Sequence, residues 1–177
     1  MYEKLTNKSS KKELIKVDPN GYLYQVGHKI FLANKDTKRI DYYVQYELQH
    51  SFKFLTVTQI AIWMEYASKY ADLPNGQRIS KYVFFELLLP LADAIVTDSL
   101  QTIDGERFWI NRIREAITSN MFVYAVYKDK NKIVRIETEE QLRKIKPNIW
   151  GDKKHHENRK IFISKTEIFP KAEKYKE

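Results

Sequence analysis

The sequence predicts an α+β protein: an N-terminal three-stranded meander, a central helical core of about three helices, then a β-hairpin with a short C-terminal helix and strand. Three observations point there. Runs of β-branched and aromatic residues separated by turn residues fill 22–44. Apolar residues then recur at three-and-four spacing between 56 and 119. Finally, two β-rich runs flank the polar pentapeptide Lys128-Asp129-Lys130-Asn131-Lys132. A length of 177 residues suits a single α+β domain over 1–177, with 1–20 as a basic arm and 171–177 as a flexible tail.

Each element follows from its residues. The lysine-rich stretch 4–16 reads as a loose or short helical arm, and the meander as runs 22–26, 29–33 and 40–44, punctuated by Gly27-His28 and Asn34-Lys35-Asp36-Thr37. Thr56 or Thr58 is a suitable N-cap for a first helix to about Ala71, since Ile60, Trp63, Met64, Ala67 and Tyr70 share one face and Leu73-Pro74-Asn75-Gly76 ends it. Ser80 caps a second, almost wholly apolar segment reaching Val96. Pro90 within it lacks a donor and clashes with the preceding turn, so a kink or break is expected there.

A third helix, 106–119, turns Trp109, Ile110, Ile113, Ala116 and Ile117 inward and ends at Asn120. Strands 121–127 and 133–138 form the hairpin. Thr138 then caps a short helix to about Ile145, stopped by Pro147 and Gly151, and Ile161-Phe162-Ile163 makes a last strand. The apolar second segment, with three Trp and twelve Tyr in the chain, leads to an expected homo-oligomer.

Charge selects a class of partner. Residues 1–45 hold nine Lys/Arg against five Asp/Glu, net +4; 46–127 hold seven against nine, net −2; 128–177 hold fifteen against nine, net +6. Two basic ends flanking a near-neutral apolar middle suit a surface that meets polyanions. Lysines supply 23 of the 31 cations and arginines eight, so attraction without base-specific reading should dominate. The expected partner is nucleic acid, DNA ahead of RNA, bound mainly through phosphates.

Three helices followed by a hairpin with a basic tip is the element order of a winged helix-turn-helix module, whose third helix enters the major groove while the wing touches backbone. Arg107, Asn111, Arg114 and Thr118 fall on one stripe of the third helix, opposite Trp109, Ile113 and Ala116. Arg suits guanine O6 and N7, and Asn suits adenine N6 and N7. The expected contacts are therefore Arg107, Asn111, Arg112 and Arg114 with the tip residues Lys128, Lys130 and Lys132. Aromatics beside cations, such as Tyr22, Tyr24 and Phe31 near Lys29, Tyr42 and Tyr43 near Arg39, and Tyr124 and Tyr127 near Lys128, could stack unpaired bases.

Other classes are excluded or weakened. Without cysteine there is no disulfide, thiolate site or thiol nucleophile, and five glycines in all assemble neither a dinucleotide fingerprint nor a Walker loop. His155-His156-Glu157 has metal-ligand residue types, but adjacent strand residues point to opposite faces, so no metal, cofactor or catalytic residue is expected. Two alternatives remain: a small metal-independent nuclease built from positioned cations, and an assembly protein whose charge only keeps it soluble. The polar N-terminus lacks a signal-like apolar region, and 82–96 falls short of the roughly 20 apolar residues of a span, so a cytoplasmic protein without membrane segments is expected.

Overall fold

A computed structural model describes residues 1–7, 9, 11–17, 21–64, 72, 73, 75–98, 103–150 and 158–174. Among them strands carry the architecture: ten strands accompany four α-helices. This corrects the expected α+β meander on a helical core, and with it the winged-helix-like reading. The chain falls into two compact units, 1–47 with 59–90 and 48–58 with 91–177.

The first unit begins with helix α1 (Tyr2–Thr6) and antiparallel strands β1 (Lys12–Lys16), β2 (Gly21–Val26), β3 (Lys29–Asn34) and the part of β4 (Arg39–Ser51) up to Glu47, paired in sequence order. The expected meander is therefore present, and the supposed arm contributes a helix and an edge strand. Gly27, at φ +54, makes the tight β2–β3 turn, a conformation in which a Cβ is costly. Alternation along the strands puts Tyr24, Val26, Phe31, Ala33 and Ile40 into one buried cluster with Leu5 of α1.

Where a first helix was expected, strand β5 (Phe54–Met64) forms instead. Its run Thr56-Val57-Thr58 with Ile60 and Ile62 is rich in β-branched residues, which lose rotamer freedom in a helix and sit well on a pleated surface. The two threonines are cross-strand partners rather than helix caps: Thr56 Oγ1 donates to the Gln49 carbonyl at 2.9 Å, and Gln49 Nε2 donates to Thr58 Oγ1 at 2.9 Å. Ile60, assigned to the buried helical face, is exposed; Ala67 and Tyr70 lie outside the described residues.

The second apolar segment breaks at Pro90, as its chemistry requires, but is helical on one side only. Helix α2 (Ile79–Tyr82) widens into a π-helical turn (Val83–Leu88) and a 3-10 turn (Leu89–Leu91), after which Ala94–Val96 is strand β6. Ile79, Val83, Phe84, Phe85, Leu88 and Leu89 are buried in the single chain. Leu91, at 39%, is an exposed large apolar residue of the same segment.

In the second unit β6 runs parallel to β5 through Thr56↔Ala94 and Thr58↔Val96, and antiparallel to β9 (Arg159–Ser164). The order then continues to β7 (Phe122–Tyr127), β8 (Lys132–Ile136) and the short parallel strand β10 (Glu173–Lys174), inside what was expected to be tail. Helix α3 (Ile103–Thr118) matches the expected third helix and buries Trp109, Ile113 and Ala116. Helix α4 (Glu139–Trp150) runs past Pro147 instead of stopping before it. Its start is a reciprocal capping box: Gln141 N donates to Thr138 Oγ1 at 3.2 Å, while Gln141 Oε1 accepts from Glu137 N at 2.7 Å and Thr138 N at 3.3 Å. Among the described residues no helix is long and apolar enough to cross a membrane.

Candidate nucleic-acid interface

The α3 stripe exists as a surface, yet its cations are already engaged. Arg107, Asn111, Arg114 and Thr118 are all exposed. Arg107 Nη1 lies 3.6 Å from Asp104 Oδ1, one turn earlier, and Arg114 Nη2 lies 2.6 Å from Glu139 Oε1 at the start of α4. Such exposed pairs contribute about 0.2–1 kcal/mol each, so a phosphate could displace the acids, but the local field is nearly cancelled before it arrives. Asn111 and Thr118 are the uncharged hydrogen-bonding groups of the stripe, and Thr118 Oγ1 donates to the Arg114 carbonyl at 2.9 Å.

Arg112 is different. It is only 6% exposed, with Nη1 2.9 Å from Glu115 Oε2 and the guanidinium 5.2 Å from the Phe108 ring centroid. The helical period explains this: Arg112 adjoins Trp109 and Ile113 on the inward side, and its long stem is buried with them. Its charge is matched within α3 by Glu115 and little of it reaches the surface.

The hairpin tip keeps its charge. A 3-10 turn, Lys128–Lys130, joins β7 to β8, with Asn131 at φ +46 in the left-handed region that Asn tolerates. The tip carries one acid, Asp129, whose Oδ2 lies 3.6 Å from Arg159 Nη2. Lys128 and Lys130 are exposed and have no carboxylate partner among the described residues, whereas Lys132 Nζ lies 3.0 Å from Glu173 Oε2.

Beside this tip lies a turn that sequence reasoning missed. Phe52 and Lys53 join β4 to β5 with φ +53 and +73, the sign pattern of a type I′ hairpin turn. Phe52 meets Phe162 and Phe169 edge to face, at centroid distances of 6.0 and 5.9 Å, and the Lys128 ammonium stands 5.7 Å from its centroid. Phe52 remains 44% exposed, and Lys53 is exposed with no carboxylate partner among the described residues. One lysine, Lys128, thus stands over an open aromatic, with the exposed Lys53 next to it in the turn and the exposed Lys130 in the same tip as Lys128. The missed signal was the β-branched run in 54–62, which demands a tight reversal just before it; no Gly or Asn marks that reversal.

The aromatics singled out earlier serve mostly as core. Tyr24, Phe31, Tyr42, Tyr124 and Tyr127 are buried, and Tyr43 is half-buried, donating its hydroxyl to Gln45 Oε1 at 3.0 Å. Burial, followed by the nearby Glu13, raises the Tyr24 phenol above its ordinary pKa. In the first unit Lys35 and Lys16 stand 3.7 and 5.8 Å from the Tyr22 ring, and Lys11 stands 4.4 Å from that of Tyr24. Lys35 covers the Tyr22 ring closely and Tyr24 is itself buried, so this cluster offers charge rather than a stacking face.

His155, His156 and Glu157 lie outside the described residues; among those described, no group of three His, Asp or Glu side chains is placed to hold a metal ion. Comparison with protein-family models, with curated proteins and with solved structures finds no match for this chain.

Proposed function

We propose that this is a cytoplasmic nucleic-acid-binding protein that holds its ligand chiefly through phosphates. One observation supports the reading most: Lys128 stands over Phe52, Lys53 follows Phe52 in the turn, Lys130 shares the tip with Lys128, and none of the three has a carboxylate partner among the described residues, while the tip's one acid, Asp129, is paired with Arg159. Lysines without partners gain the full benefit of a phosphate, because no existing ion pair must be given up. Arg107 and Arg114 are secondary contacts on this reading, since each must exchange an acid for the ligand.

The test is fluorescence anisotropy of labelled single- and double-stranded DNA and RNA across a salt series. The expected outcome is affinity that falls steeply with salt. Replacing Lys128 and Lys130 together by Gln should lower the magnitude of the log–log slope by about 1.4 on a single strand, at roughly 0.7 per phosphate contact. Arg107→Gln with Arg114→Gln should change it by less than half of that. Absence of salt-dependent binding to any of the four ligands rejects the proposal.

A further inference from the structure

The geometry points to Phe52 as a stacking platform for an unpaired base, which makes single-stranded nucleic acid the ligand class; this rests on the phosphate-binding reading above. Three separate features of the turn converge on it. The first is backbone strain. Phe52 and Lys53 both occupy the left-handed region, where Asn and Gly are the ordinary residues and a bulky aromatic is an outlier. A turn built only to reverse the chain has easier solutions, and retained strain is characteristic of positions that present a group to a ligand.

The second feature is the disposition of the ring. Phe162 and Phe169 are buried members of a core cluster, and they meet Phe52 at interplanar angles of 70° and 85°, so neither stacks parallel on it. They fix the ring while leaving Phe52 44% exposed. The group standing over the ring is the Lys128 ammonium, at 5.7 Å from the centroid, a weak hold that an incoming base can replace.

The third feature is the placement of charge. Lys128, from the hairpin tip, stands 5.7 Å from the ring centroid, and Lys53, the next residue along the turn, is exposed, so a base on the ring would have cations from two turns available for its flanking phosphates. Aromatic faces flanked by cations suit single strands, whose bases are free to leave the stack; duplex bases are already paired and stacked.

The test uses the full chain and oligonucleotides containing 2-aminopurine, whose fluorescence falls when the base stacks. Phe52→Leu keeps an apolar contact for Phe162 and Phe169 but removes the flat ring, and Phe52→Tyr keeps the ring. The expected result is quenching of the probe by the wild type and by Phe52→Tyr. For Phe52→Leu, quenching should be lost and single-strand affinity should fall about fivefold to a hundredfold. Circular dichroism of each variant confirms that it is folded. Wild-type single-strand binding with Phe52→Leu within twofold of it would overturn the stacking role while leaving the phosphate-binding proposal standing, as would tighter binding of duplex than of single strands. Failure of the wild type to bind any strand overturns both.

Discussion

Lys53→Gly separates the conformational role of the turn from its charge. Lys53 sits at φ +73, where an L-residue is disfavoured by about 1–2 kcal/mol, and glycine removes that cost. Against this stands the greater freedom of glycine in the unfolded chain, roughly 0.5–1 kcal/mol. The Lys53 side chain is exposed and has no ion pair among the described residues, so its removal should cost little else. The net expectation is a stabilisation of about 0.5–1 kcal/mol, which for a chain of this size raises Tm by about 1–4 °C. Lys53→Ala keeps the strain and should leave Tm within about a degree of wild type on the same reasoning. Thermal unfolding followed by circular dichroism measures both. In binding assays the two variants should behave alike, each losing one phosphate contact and about 0.7 in the magnitude of the single-strand salt slope. A Lys53→Gly protein no more stable than Lys53→Ala would refute the claim that the turn stores strain, and unequal affinities would refute the claim that Lys53 acts through charge alone.

Two further outcomes concern the folded body. Leu88 lies in the π-helical turn with no exposed surface, so Leu88→Ala should cost about 2–5 kcal/mol in denaturant unfolding; a loss below about 0.5 kcal/mol would place it outside the core. Burial raises the phenol pKa of Tyr24, Tyr43, Tyr46, Tyr82 and Tyr124 above the model-compound value of 10.0. The folded state therefore holds these protons more tightly than the unfolded chain, and the contribution to stability is complete below pH 10.0 and lost as pH rises through the folded values. Urea midpoints measured from pH 9 to 11 should decline toward the alkaline end, and a rise over that interval would contradict the assignment.

Local patterns were sufficient wherever a segment's neighbours lie close in sequence. The meander, α3 and the β7–β8 hairpin all follow from alternation, three-and-four spacing and turn residues, because hairpin partners and helical turns are sequence neighbours. The exposed stripe of Arg107, Asn111 and Arg114 was legible for the same reason. Residues 56–64 and 94–96 were not, since their apolar spacing satisfies a helix as well as a buried strand. The choice was made by distant partners: Thr56, Val57 and Thr58 pair with Ala94, Ile95 and Val96, and β6 pairs in turn with β9. Tertiary structure likewise decided which cations are spent internally. Arg114 meets Glu139 and Lys132 meets Glu173 across 25 and 41 positions of chain, and no periodicity encodes such pairs. The meeting of Phe52 and Lys128 is of the same kind: the residues alone supply an aromatic and a cation, and only the packing of Phe52 onto Phe162 and Phe169 brings the ring beneath the Lys128 ammonium.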